Sequence, residues 1–176
     1  MKLLLHACCA PCSTRCVEVL RDEGIEPVLY WYNPNIHPYT EYRSRLDSLI
    51  SFAEMKGLKL ERRDEYGLRF FLAAAAPERD TRCPVCYRMR LEATAAYAAE
   101  KGHTHLCTTL LISPYQNHDL ICTVAREICA KYGLIFLERD FRPCFRQSQK
   151  DARELGLYRQ KYCGCIFSEE ERYLNI

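Results

Sequence analysis

Five short apolar runs recur along this chain, separated by longer segments with helical periodicity. The runs are Lys2–His6, Glu26–Tyr32, Leu58–Glu61, His105–Leu111 and Leu134–Glu138. Between them, a helix is predicted over Cys12–Glu23, closed by Gly24. The next is N-capped by Thr40 and ends at Gly57, with Tyr42, Leu46, Leu49 and Ala53 on one face. A third covers Gly67–Ala76 and stops before Pro77. A fourth has Pro84 in its first turn, where the missing N–H costs nothing, and runs to Lys101. A fifth covers Asp119–Lys131, and the chain is helical or irregular from Pro143 onward. Strands joined through helices pair in parallel, with the helices covering both faces. The expectation is an α/β fold: a doubly wound, five-stranded, mostly parallel sheet. One domain would span residues 1–176, with a helical C-terminal segment from about residue 141 completing the site.

In such sheets ligands sit beyond the carboxyl ends of the strands, where strand order reverses. The loop His6–Pro11 leaves the first strand at the place where a nucleotide-binding relative carries its phosphate loop. It has no glycine and two cysteines, so no nucleotide phosphate is expected there.

Cysteine is the compositional outlier, with 12 in 176 residues. A chain of this size buries a core without disulfide staples. The apolar stretch Leu3–Leu5 is far too short for a signal-peptide core, and no run approaches the roughly 18 apolar residues of a membrane span. A reducing cytoplasm is expected, where clustered cysteines mean metal or redox chemistry. The formal charge is only +2, so nucleic-acid binding would have to rest on a local patch.

Three groups stand out. Cys8 and Cys9 lie in the first loop, with Cys12 close behind. Cys83-Pro84-Val85-Cys86 opens a helix, whose N-terminus favours anionic sulfur. In Cys163-Gly164-Cys165 the glycine lets the backbone bend so that both sulfurs face one way. Cys8, Cys9, Cys83 and Cys86 would supply the four thiolates of a 4Fe–4S cluster. Cys163 and Cys165 would then form a redox pair or bind an additional iron ion. Cys12 could ligate or stand behind the ligands. Zinc would accept four cysteines but has no redox function. Cys16, Cys107, Cys122 and Cys129 read as core, and Cys144 is left open.

Other polar residues are less specific. His6 reads as structural or as a donor to a sulfur. Asp140 and Asp64 follow strands, and either would suit an iron ligand or a proton donor. Basic residues gather twice: Arg79, Arg82, Arg88 and Arg90 around the C-x-x-C, and Arg142, Arg146, Lys150, Arg153, Arg159 and Lys161 before the C-x-C. Phe141, Phe145 and Tyr158 are interleaved with the second group. Arginine beside aromatic stacking surfaces suits RNA, with Arg82, Arg142 and Arg159 as the candidates.

The segments Leu5-His6-Ala7-Cys8-Cys9-Ala10-Pro11-Cys12-Ser13, Tyr32-Asn33-Pro34-Asn35-Ile36-His37-Pro38 and Arg82-Cys83-Pro84-Val85-Cys86 resemble those of the QueH family of epoxyqueuosine reductases. So do Thr108-Thr109-Leu110-Leu111-Ile112-Ser113-Pro114 and Asp140-Phe141-Arg142. Gly156-Leu157-Tyr158-Arg159-Gln160-Lys161-Tyr162-Cys163-Gly164-Cys165-Ile166 is the most distinctive. The resemblance implies the last step of queuosine synthesis. Epoxyqueuosine at the wobble position of tRNA would lose its epoxide oxygen as water, with two electrons from an unidentified electron donor, two protons and no cobalamin. It also implies a HUP or nucleotide-hydrolase-like fold. Two other readings stay open: a metal-independent thiol–disulfide oxidoreductase and a zinc-stabilised RNA-binding domain. Colour and metal content separate all three.

Overall fold

A computed structural model describes residues 1–77 and 81–175. Arg79 and the middle of the approach to the C-x-x-C lie outside the described residues. The sheet has five strands: β1 (Leu3–His6), β2 (Val28–Trp31), β3 (Leu60–Arg62), β4 (His105–Thr108) and β5 (Ile135–Phe136). Their order is β3-β2-β1-β4-β5, and every pairing is parallel. The helices are α1 (Ala10–Asp22), α2 (Tyr39–Lys56), α3 (Leu68–Ala75), α4 (Arg82–Glu100), α5 (His118–Lys131), α6 (Phe145–Glu154) and α7 (Ile166–Leu174).

β1 is central because both of its faces are buried: Leu3, Leu4 and Leu5 are almost completely enclosed. That is the signature of a parallel strand covered on two sides. α1 packs against α2 and α6, while α4 packs against α3 and α5. Strand order reverses between β1 and β4, so the loop after β1 opens into the switch-point crevice, as expected.

Several boundaries differ from the sequence reading: α1 begins at Ala10 rather than Cys12, β2 and β5 are shorter at both ends, β3 is shifted to Leu60–Arg62, and two further differences have a visible cause. α2 begins at Tyr39 with Pro38 at its N-cap, and Thr40 lies inside the first turn. The Pro38 carbonyl accepts the Tyr42 N–H at 3.1 Å, so the turn is already closed before Thr40 could cap it. β4 ends at Thr108 rather than continuing to Leu111. The Thr108 hydroxyl accepts the Leu110 N–H at 3.2 Å and turns Thr109–Ile112 into a 3₁₀ segment.

Cys16, Cys107, Cys122 and Cys129 are core residues. Burial pushes the Cys107 thiol up to about 12 and those of Cys122 and Cys129 up to about 11. The folded state therefore keeps protons that the unfolded chain releases above its ordinary thiol value near 9. This contribution is fully present below pH 9 and is lost as pH rises towards 12. Under reducing conditions, the unfolding free energy from urea titrations should fall between about pH 9 and pH 10.5, by at most about 2 kcal/mol per thiol. Cys107→Ala should flatten that slope, and an unchanged slope would contradict the assignment.

Candidate metal centre

α1 is entered through Cys9, which stands at its N-cap in extended conformation. Cys8 precedes the helix, and Cys12 falls in its first turn because Ala10 and Pro11 already belong to the helix. This geometry turns all three side chains to one place: the sulfurs of Cys8, Cys9 and Cys12 all lie within 4.8 Å of one another. Among the described residues, no other three ligand groups from His, Cys, Asp or Glu come this close. Cys9 and Cys12 are buried, and Cys8 is partly so.

The end of β4 supports this loop. The Cys8 N–H donates to Thr109 Oγ1 at 3.0 Å, and that hydroxyl donates to Cys8 Sγ at 3.2 Å. His6 is fully buried and its Nδ1 pairs with Thr108 Oγ1 at 2.9 Å. Burial, reinforced by the Arg90 charge, lowers its pKa to about 3, so His6 is neutral. Hydrogen bonds from Cys12 and Cys9 hold the Cys8 thiol well below its ordinary value. Burial pushes Cys9 up to about 12, and Cys12 is pushed up chiefly by its bond to Cys8.

The other two groups meet across α4 and the C-terminal segment. Cys86 and Cys165 pack in one buried cluster with Phe71 and Ala75. Cys83 and Cys163 are exposed beside them, and the Cys83 thiol is pushed up by partial burial first and by the neighbouring Cys163 second. Cys165 Sγ accepts the Ser168 N–H at 3.4 Å and so caps α7.

The C-x-C is held by its backbone. Buried Arg45 donates to the carbonyls of Cys163 at 2.8 Å and Tyr162 at 3.0 Å, and pairs with Glu41 at 2.7 Å. The His37 N–H donates to the Gly164 carbonyl at 2.8 Å. Gly164 has φ +144°, and a Cβ there would sit 3.2 Å from Arg45 and 3.3 Å from Ile36. The glycine that the sequence placed between two cysteines is therefore required both by conformation and by space.

Two glutamines point amides at sulfur. Gln160 Nε2 donates to Cys9 Sγ at 3.1 Å and lies 3.9 Å from Cys12 Sγ, linking the C-terminal segment to the first loop. Gln116 Nε2 donates to Cys163 Sγ at 3.1 Å and is itself held by the Tyr87 hydroxyl at 2.5 Å. The donor set fits a thiolate-bound metal: clustered sulfurs with no carboxylate among them, ringed by N–H donors.

The remaining predicted residues lie as follows. Asp140 is ion-paired with Arg142 at 2.7 Å, with His118 4.0 Å away. The Arg142 guanidinium lowers its pKa to about 2, so it stays ionised. It is not part of the three-sulfur group. Asp64 accepts from the Tyr42 hydroxyl at 2.8 Å and from Arg43 at 2.9 Å. Arg82 pairs with Glu171 at 2.6 Å and ties α4 to α7. Arg159 is exposed. Phe141 is 1% exposed, so it is a core residue and not an RNA-stacking surface. Arg90 is also buried and cannot meet RNA.

A family model described as "Epoxyqueuosine reductase QueH" matches residues 3–171. This chain belongs to the QueH family. A Dehalococcoides mccartyi protein named epoxyqueuosine reductase QueH is 39% identical over 173 residues, covering 98% of this chain and 94% of that protein. A Thermotoga maritima QueH protein is 36% identical over 180 residues, covering 97% and 91%. Among solved structures, a predicted subunit of a tRNA methyltransferase from Methanocaldococcus jannaschii superposes with a TM-score of 0.55 at 15% identity, covering 86% of this chain and 76% of that one. That likeness shows the α/β fold alone. No helix among the described residues is long and apolar enough to cross a membrane.

Arg45, Glu41, Thr109, Gln116 and Gln160 had no assigned part in the sequence reading. A signal for Arg45 was its place beside Leu46 on the buried face of α2, four residues after Glu41.

Proposed function

We propose that this QueH chain is the epoxyqueuosine reductase of a cytoplasmic queuosine pathway, acting on epoxyqueuosine at the wobble position of tRNA. The observation that carries the proposal is the close group of Cys8, Cys9 and Cys12 at the switch point, in a chain matched to the family over residues 3–171. The reaction consumes two electrons and two protons. The epoxide oxygen leaves as water and a cyclopentene remains.

The metal site is read as two walls. Cys8 and Cys9, with Cys12, form one. Cys83 and Cys86 form the other, with Cys163 and Cys165 closing it from the C-terminal segment. These residues would hold a 4Fe–4S cluster, which would supply electrons one at a time; metal stoichiometry would decide whether Cys12, Cys163 and Cys165 hold an additional iron ion. Exposed Cys163, fixed through Gln116 and Arg45, is placed to meet the substrate. Arg159 and Lys161 flank the C-x-C and are exposed, so they suit backbone phosphates of the RNA. Arg82 and Arg142 would join them only by exchanging Glu171 and Asp140 for phosphate. Asp64, paired with Arg43 at 2.9 Å, would have to exchange that partner to act as a proton donor, as would Asp140 with Arg142.

The test is mass analysis of nucleosides from epoxyqueuosine-containing tRNA. The RNA is incubated anaerobically with iron-loaded protein and a chemical reductant. Conversion to queuosine is expected. A metal-free, colourless preparation that converts the substrate equally well would replace this reading with thiol–disulfide chemistry. Zinc at one per chain with no conversion would replace it with an RNA-binding role.

A further inference from the structure

Arg90 lies one helical turn beyond Cys86 on α4 and is 2% exposed. Its Nη2 donates to Asn33 Oδ1 at 2.7 Å, and its Nη1 approaches Cys86 Sγ at 3.8 Å. Its Nε is buried without a hydrogen-bond partner. Among the described residues no carboxylate pairs with it. The acidic side chains around it are thiols, those of Cys86, Cys8 and Cys163. Asn33 in turn donates to the Ala7 carbonyl at 3.0 Å, so the guanidinium is braced against the first cysteine loop as well.

A buried cation without a counter-charge is strongly disfavoured. Arg45 illustrates the usual solution in the same protein, since Glu41 lies 2.7 Å from it. Arg90 has no such acid, but it faces both cysteine walls. Neutral thiols do not balance it, whereas thiolates bound to metal do.

We infer that Arg90 is a positioning residue whose buried charge balances the metal–thiolate centre and sets its reduction potential. The inference rests on the metal-centre reading proposed above. Each electron added to the centre makes it more negative by one charge, and Arg90 neither gains nor loses a proton in that step. A fixed nearby cation therefore favours the reduced form. Removing the charge should make the potential more negative.

Wild type, Arg90→Lys and Arg90→Gln would be loaded anaerobically with iron and sulfide. Iron content and midpoint potential would then be measured with a one-electron chemical reductant. Gln keeps an amide that can donate to Asn33 and drops the charge. Lys keeps the charge and drops the planar fork. For Arg90→Gln the reduced-to-oxidised ratio at a fixed potential should fall about tenfold, equivalent to about 59 mV for a one-electron couple. Arg90→Lys should stay much closer to wild type. Loss of iron from Arg90→Gln but not from Arg90→Lys would also support the charge. An unmoved potential in Arg90→Gln, equal shifts in both variants, or equal loss of iron in both would overturn the inference and leave Arg90 a structural brace. Wild type that binds no iron would fail the metal-centre reading itself, and the inference would fall with it.

Discussion

Cys9→Ala should give a folded, colourless protein that retains no iron and turns over no substrate. Cys9 is 1% exposed at the entry to α1, with its sulfur among the three that lie within 4.8 Å of one another. Removing it takes away one ligand and the acceptor of the Gln160 amide together. Altering a partner behind a metal ligand typically costs about 10–100-fold in affinity or activity, so loss of a ligand should exceed that range. The structural cost is small by comparison, because a thiol replaced by a methyl leaves only a minor void, on the order of 1 kcal/mol. The control is Cys16→Ala. Cys16 is as deeply buried and lies two turns further along, in α1, but it packs in the core. It should lose a similar amount of stability and keep both iron and activity. Iron and sulfide analysis with a visible spectrum decides the matter. A brown, active Cys9→Ala would remove the first loop from the metal site.

Arg45→Met should be the most damaging substitution away from the sulfurs. Arg45 and Glu41 form a buried pair, with side chains 2% and 9% exposed. Breaking such a pair by removing one partner typically costs about 3–5 kcal/mol, because the other charge stays buried. For a chain of this length that corresponds to a Tm lower by about 6–20 °C. The functional effect is separate. Arg45 is the donor that fixes the carbonyls of Tyr162 and Cys163, so the C-x-C loses its anchor and activity should fall even in the fraction that remains folded. The double variant Glu41→Gln with Arg45→Met distinguishes the two effects. It removes the stranded carboxylate and should recover much of the lost Tm, while activity stays low. Recovery of both together would mean that Arg45 acts only through stability.

The architecture was legible in the sequence because its causes are local. Period-two and period-3.6 patterns, Gly and Pro stops, and the need for helices between parallel strands led directly to an α/β sheet of five strands. The first cysteine loop was placed at a strand end by the same logic. Boundaries were less legible, and the start of α2 and the end of β4 show why. In both, backbone and hydroxyl groups at Pro38 and Thr108 close turns that composition does not reveal.

The motifs also separated loop cysteines from core cysteines, since Cys122 and Cys129 sit on an apolar stripe whereas Cys8 and Cys9 sit in a loop. Only tertiary structure could decide how the groups combine. Cys12 joins Cys8 and Cys9 because the helix starts at Ala10, two residues before it. Cys86 meets Cys165 because α4 and the C-terminal segment pack against one another across some eighty residues of sequence. Arg45 carried no assignment and Arg90 read as one of a basic cluster, but folding buries the first against Glu41 and the second against sulfur. A charge's role depends on what surrounds it once water has been excluded, and a linear pattern does not contain that information.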